Sequence, residues 1–179
     1  MTQIQKLPNS LVNLIAAGEV VENPLSIVRE LIDNSLDANS TELKIELLEG
    51  GQHLIRVTDN GHGIDPSNTS LLFERHATSK IINFEDLQAL ESRGFRGEAL
   101  SAIASVTKIK VETWNNQFHY QVENHFGDLQ KPLDLSPISG SGTSLEVSSL
   151  FEKVPARRAF LKSPRYDLKN ILEHVDHLA

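Results

Sequence analysis

Apolar residues recur at helical spacing over two early stretches of the chain. Leu11 to Val21 is apolar with that period, and Ser10 is placed to cap it. Asn23-Pro24 then restarts a helix. Asn23 suits the cap, and Pro24 suits the first turn, where a missing N–H leaves no partner unpaired. Leu25, Val28, Leu31, Ile32 and Leu36 form an apolar stripe, and Asn39-Ser40 ends it. The period then changes to two. Leu43 to Leu48 and Leu54 to Val57 alternate around Gly50-Gly51, which predicts a hairpin that carries Asp59 to a strand end. Pro66 to Phe73 predicts a short helix. Phe84 to Leu90 predicts a small helical piece between loops at His76–Lys80 and Glu91–Arg96. Glu98 to Ser105 reads as a helix of small residues. Lys108 to Thr113, Phe118 to Glu123 and Thr143 to Val147 read as strands, and residues 126–142 as mostly connection. Ala156 to Lys162 and Tyr166 to Leu178 read as helices, interrupted at Ser163-Pro164.

Helices and hairpins are mixed here without strict alternation. That predicts an α+β fold, a two-layer sandwich with helices on one face of a mixed sheet, in preference to a doubly wound fold. The 179 residues suffice for one domain. Residues 1–23 would form an N-terminal arm and first helix, 24–150 the core, and 151–179 a C-terminal helical segment.

Composition narrows the function classes. Hydrophobic content of 39% and charged content of 23% are those of an ordinary globular protein. The net charge of −7 argues against one broad basic surface for nucleic acid, although the segment from Arg157 to Arg165 is locally basic. The cysteine count of 0 excludes disulfides and thiolate metal sites. No apolar run approaches membrane-spanning length, and no signal peptide is evident, so a cytoplasmic location is expected.

Four segments carry candidate chemistry. In R-E-L-I-D-N-S-L-D-A, Glu30 and Asn34 stand one helical turn apart. A carboxylate there can take a proton from an attacking water, and an amide oxygen beside it can bind magnesium. Alone, Glu-x-x-x-Asn is most often a solvated helix face. In D-N-G-H-G-I, Asp59 offers an acceptor suited to adenine's amine, and Gly61 and Gly63 permit close approach of a ligand. In G-F-R-G-E-A-L, Gly94 to Glu98 is a basic, glycine-flanked loop running into a helix, suited to phosphate. It is not a P-loop. In G-T-S-L-E-V, Thr143 brings a hydroxyl on a strand. Together they describe an ATP site. His174 and His177 have no metal-binding context, and Trp114 reads as a packing residue.

This set resembles the N-terminal ATPase region of the MutL family of DNA mismatch repair proteins, within the GHKL superfamily. The superfamily pattern matches Glu30, Asn34, Asp59, Gly61 and Gly63. The narrower likeness rests on L-I-A-A-G-E-V-V-E-N-P, R-H-A-T-S-K, G-F-R-G-E-A-L and P-A-R-R-A-F-L, and runs from about Ile4 to the chain end. The resemblance implies the Bergerat ATP-binding sandwich with ATP or ADP and magnesium as cofactors. Glu30 would be the general base, Asn34 the magnesium ligand and Asp59 the adenine reader. Gly61 and Gly63 would shape the nucleotide floor, and Thr143 would support Asp59. The lid over the triphosphate would comprise His76, Ala77, Thr78, Ser79 and Lys80 with Gly94, Phe95, Arg96, Gly97 and Glu98. ATP would order that lid and pair two protomers. Implied partners are a second copy, a mismatch-recognition protein, a strand-cutting endonuclease, a helicase and, weakly, DNA through Arg157 to Arg165, with no membrane.

The family also has a second lobe that sends a lysine to the γ-phosphate, and a C-terminal dimerisation domain. Neither is present before Ala179, so this chain is expected to be a first lobe with little turnover alone. Two alternatives stay open on the residues: a topoisomerase or histidine-kinase ATPase lobe, and a regulatory nucleotide-binding module.

Overall fold

The structure is a computed structural model and describes residues 5, 8, 17, 18, 20–78 and 97–178. Helix α1 spans Pro24–Asp37 and begins as its sequence dictates. Asn23 is extended, and its side-chain oxygen accepts from the Ser26 N–H at 3.1 Å. The helix closes on Asn39, whose φ of 58° lets the Ser40 N–H reach the Ser35 carbonyl at 3.2 Å. Its inner face is Ile27, Val28, Leu31, Ile32 and Ser35. Leu36, expected in the apolar stripe, is 52% exposed. Position 35, one turn beyond Leu31, continues the inward row, and position 36 is rotated out of it.

Strands β1 (Leu43–Leu48) and β2 (Leu54–Asp59) pair as the expected hairpin, from Leu43 opposite Asp59 to Leu48 opposite Leu54. Helix α2 (Ala99–Val106) follows Glu98 and buries Ala102, Ile103, Ala104 and Val106. Strands β3 (Lys108–Trp114) and β4 (His119–His125) come next. The region expected to be connection holds two short strands, β5 (Asp128–Leu129) and β6 (Leu133–Asp134). Strand β7 is Gly142–Ser148, and helices α3 (Pro155–Arg158) and α4 (Pro164–Asp176) finish the chain.

Three expectations need correction. The helix expected from Pro66 to Phe73 is a single 3-10 turn at Pro66–Asn68. Its polar side chains bond locally instead, as in Thr69 Oγ1 to the Pro66 carbonyl at 2.7 Å. The helix expected from Ala156 to Lys162 stops at Arg158. Ser163-Pro164 opens α4 rather than interrupting a helix, with the Ser163 hydroxyl accepting from the Tyr166 N–H. Of the first helix, residues 17, 18 and 20 are helical, and the Val21 N–H bonds the Ala17 carbonyl. Its earlier part, Ser10, the Phe84–Leu90 piece and the Glu91–Arg96 loop lie outside the described residues.

The strands form one sheet in the order β1-β2-β7-β3-β4-β5, with β6 also on β4. Every described pairing is antiparallel. The sheet is thus mixed in the order of its strands, with β7 inserted between β2 and β3, and not in the direction of neighbours. Alternation sends Ile55, Val57, Ile109, Val111, Leu145 and Val147 to one face, where they share a core with Ile27, Val28, Leu31, Ile103 and Val106. The opposite face is polar. There Arg56 pairs with Glu146 at 2.6 Å and Glu46 at 3.4 Å. The result is the two-layer α+β sandwich. Among the described residues no helix is long and apolar enough to cross a membrane.

Candidate functional site

The inner face turns polar at one end. Register aligns Leu43, Asp59, Thr143, Thr113 and Tyr120 as one row across β1, β2, β7, β3 and β4. Asp59, Thr143, Thr113 and Tyr120 are all buried. Polar groups that leave water need partners, and these have them. Asp59 Oδ2 accepts from the Ser35 hydroxyl at 3.0 Å, and Oδ1 accepts from the Gly61 N–H at 2.9 Å. The Tyr120 hydroxyl donates to the Ile64 carbonyl at 3.0 Å. Burial raises the pKa of that phenol, which keeps it a donor.

Helix α1 brings the other half of the site. Asn34 precedes Ser35, the residue that holds Asp59, and Glu30 stands one turn earlier. Both are half-buried, on the flank beside the core face. The loop after β2 is drawn against α1 and β3. The His62 N–H bonds the Ala38 carbonyl at 3.1 Å. A Cβ at Gly61 would lie 2.7 Å from the Ala38 Cβ. Gly63 has φ 76°, and a Cβ there would lie 2.8 Å from the Trp114 carbonyl oxygen. Side chains at these two positions would push the loop off its supports.

Two segments distant in sequence also meet. The His76 N–H donates to the Gly97 carbonyl at 2.9 Å. Gly97 has φ 61°, and a Cβ there would lie 2.5 Å from the Ala77 carbonyl oxygen. Glu98 pairs with Arg75 at 3.7 Å and with His76 at 3.5 Å. The described ends of the two expected lid segments, Ala77 and Thr78 with Gly97 and Glu98, therefore converge. Ser79, Lys80, Gly94, Phe95 and Arg96 lie outside the described residues.

Ser35, Thr113 and Tyr120 escaped the sequence reading. The alternation Ile109, Val111, Thr113 already pointed Thr113 inward, and Ser35 sits where the apolar stripe needed a residue. Arg157 belongs elsewhere. It donates to the Val21 carbonyl at 3.1 Å, stacks over Phe151 and presses on Gly18, so its charge braces the N-terminal segment. Arg158, Lys162 and Arg165 are exposed. The shallow polar groove lined by Arg56, Lys110, Glu112 and Glu146 lies on the opposite face of the sheet from Asp59. Among the described residues no group of three or more His, Cys, Asp or Glu could hold a metal ion. A cation at Asn34 would therefore draw its remaining oxygens from a ligand and water, the habit of magnesium.

The sequence matches the family described as histidine kinase-, DNA gyrase B-, and HSP90-like ATPase over residues 22–146. It is 44% identical over 176 residues to the DNA mismatch repair protein MutL of Thermosipho melanesiensis, an alignment that covers 98% of this chain and 32% of that protein. The chain thus spans about a third of that relative's length. Among solved structures, the N-terminal domain of a DNA repair protein superposes with a TM-score of 0.76 at 32% identity, covering 92% of this chain and 47% of that one. The MutL ATPase domain of Aquifex aeolicus complexed with ADP superposes with a TM-score of 0.64 at 32% identity, covering 87% of this chain and 54% of that one. The chain belongs to the histidine kinase-, DNA gyrase B-, and HSP90-like ATPase family.

Proposed function

We propose that this chain is the ATP-binding and ATP-hydrolysing lobe of a MutL-type DNA mismatch repair protein. The observation that carries the reading is the buried Asp59 carboxylate, held at a strand end by Ser35 and Gly61 beside the helix that bears Glu30 and Asn34. A buried acceptor of this kind fits adenine's amine and opposes a carbonyl. Thr143, its cross-strand neighbour, supports it. Gly61 and Gly63 shape the floor under the nucleotide.

Magnesium, when bound, would neutralise charge on the transferring phosphoryl group. The Asn34 side-chain oxygen is the protein group of the right hardness to hold it. Glu30 takes the proton of the attacking water, because it stands one turn from that ligand on the same helix. His76 to Lys80 and Gly94 to Glu98 close over the triphosphate, a reading supported by the His76–Gly97 bond. Closure of this lid favours pairing of two protomers and signals to a mismatch-recognition protein, a strand-cutting endonuclease and a helicase. DNA contact, if made by this lobe, falls to Arg158, Lys162 and Arg165. A cytoplasmic site of action fits this role.

Asp59→Asn is the direct test. The substitution faces adenine's amine, or the Ser35 and Gly61 donors, with another donor. Calorimetry should show a loss of at least about tenfold in affinity for ADP or the non-hydrolysable ATP analogue. Unchanged affinity would move the base reader elsewhere.

A further inference from the structure

Tyr120 belongs to none of the sequence motifs, yet it is one of the largest buried side chains of the protein. Alternation along β4 turns it inward, and register sets it opposite Thr113 on β3. Both side chains reach the same residue, Ile64, which directly follows Gly63. The Ile64 N–H donates to Thr113 Oγ1 at 2.8 Å. The Tyr120 hydroxyl donates to the Ile64 carbonyl at 3.0 Å and lies 3.4 Å from the Asp65 carbonyl. The N–H and the carbonyl of Ile64 sit on the two rigid peptide planes that flank its Cα. Holding both therefore fixes the course of the chain through Ile64.

Residues 60–65 belong to no helix or strand, so this loop depends on bonds to its neighbours. Its first half is tied by the Gly61 N–H to Asp59 and by the His62 N–H to the Ala38 carbonyl. Its second half is tied at Ile64. Gly63, between the two ties, is pressed on the end of β3, where a Cβ would lie 3.1 Å from Thr113 Oγ1. We infer that Tyr120 is a positioning residue that, together with Thr113, clamps Ile64 and holds the glycine loop in place before a nucleotide arrives. A loop already in its bound course has little freedom left to lose on binding, so affinity depends on the clamp. The phenol acts on loop backbone, so its effect is on nucleotide binding as a whole. This inference rests on the nucleotide-binding reading above and adds to it the group that anchors the far end of the floor.

The experiment measures the affinity of this chain for ADP and the non-hydrolysable ATP analogue by calorimetry, with magnesium and well below the melting temperature. Amide hydrogen exchange is followed by NMR on the same samples without nucleotide. Tyr120→Phe removes one oxygen and leaves the ring in the core. It should weaken both nucleotides by about tenfold, the worth of one buried hydrogen bond. It should also quicken exchange at the Ile64 N–H relative to the core amides, although the bond from that N–H to Thr113 is untouched, because each grip steadies the other. Thr113→Val should weaken binding to a similar extent, and Thr113→Ser, which keeps the hydroxyl, should restore it. That pair reads the same clamp should Tyr120→Phe fail to fold. A role in packing alone would lower the melting temperature and leave affinity as it is. Unchanged affinity or unchanged Ile64 exchange in a folded Tyr120→Phe, or unchanged affinity in Thr113→Val, overturns the inference while the nucleotide reading stands. A wild type that binds neither nucleotide overturns both.

Discussion

Among the described residues, Asp59 takes one hydrogen bond on each carboxylate oxygen, from the Ser35 hydroxyl and the Gly61 N–H, which fixes the plane of the carboxylate. Ser35 is the more telling donor. It sits on α1 and is almost fully buried, and its hydroxyl also lies 3.0 Å from the Leu31 carbonyl. One hydrogen serves both acceptors, so the alternative bond within the helix limits the loss when Asp59 is taken away, but among the described residues no other donor reaches Asp59 Oδ2. Ser35→Ala should therefore cost about 1 kcal/mol of stability. On the proposed reading of Asp59 it should cost proportionally more in nucleotide binding, about tenfold, because the freed carboxylate loses its fixed orientation. Chemical denaturation and calorimetry on the same variant separate the two. A stability loss with unchanged affinity would reduce Ser35 to a packing residue.

At the scale of elements, the sheet is clasped to its loops by polar side chains. His119 on β4 is the clearest case. Its side chain is 8% exposed. Nδ1 faces the Ser136 carbonyl at 2.5 Å, and Nε2 faces the Glu112 carboxylate at 3.0 Å. Both ring nitrogens thus face acceptors, a geometry that favours the doubly protonated ring. The Ser136 carbonyl, and after it Glu112, raise the pKa of this histidine above 6.5 against the opposing effect of desolvation. The folded-state pKa is raised, so the stabilisation is fully present below the unfolded value and fades as pH rises through the folded one. His174 has the opposite sign. Burial first, and then Arg29, lower its pKa, so its contribution is lost as pH falls. Melting curves taken on the alkaline side of 6.5 should show a downward slope that His119→Gln flattens. An unchanged slope would assign it to another group. Helix α4 is held by a different clasp. Gln52 reaches both the Lys162 carbonyl and the buried Asp167 carboxylate at 2.7 Å, and a Cβ at Gly50 would lie 2.1 Å from the Pro164 carbonyl oxygen.

At the scale of the whole molecule, helices cover one face of the sheet, and the site lies at the polar end of that covered face. The chain spans about a third of the length of the MutL relative from Thermosipho melanesiensis, so turnover is a property to test in a protein of full length. There Glu30→Gln should keep ATP binding and slow hydrolysis by about a hundredfold or more, the usual contribution of a general base. Retained binding shows directly as a nucleotide-dependent rise in melting temperature, because a ligand that prefers the folded state stabilises it by mass action. Full steady-state turnover in that variant would remove Glu30 from the role.

The sequence by itself determined what is local. The Asn23 cap, the Pro24 start, the hairpin from Leu43 to Asp59 and the inward alternation of β3 and β7 each depend on neighbours a few residues apart. The spacing of Glu30 from Asn34 and the glycines after Asp59 are likewise local, and the roles proposed for them were read within one short segment each. The tertiary structure decided what depends on register. Asp59, Thr143, Thr113 and Tyr120 stand on four strands, and they form one row because β7 inserts between β2 and β3. Helix geometry alone turns position 35, one turn beyond Leu31, to the inner face, but the partner it meets there has the same distant origin. Periodicity favours an apolar residue there, but Asp59 across the interface supplies a hydrogen-bond acceptor that serine alone of the two can meet. Periodicity reports that a side chain points inward, and the partner it meets there is set by the pairing of distant strands.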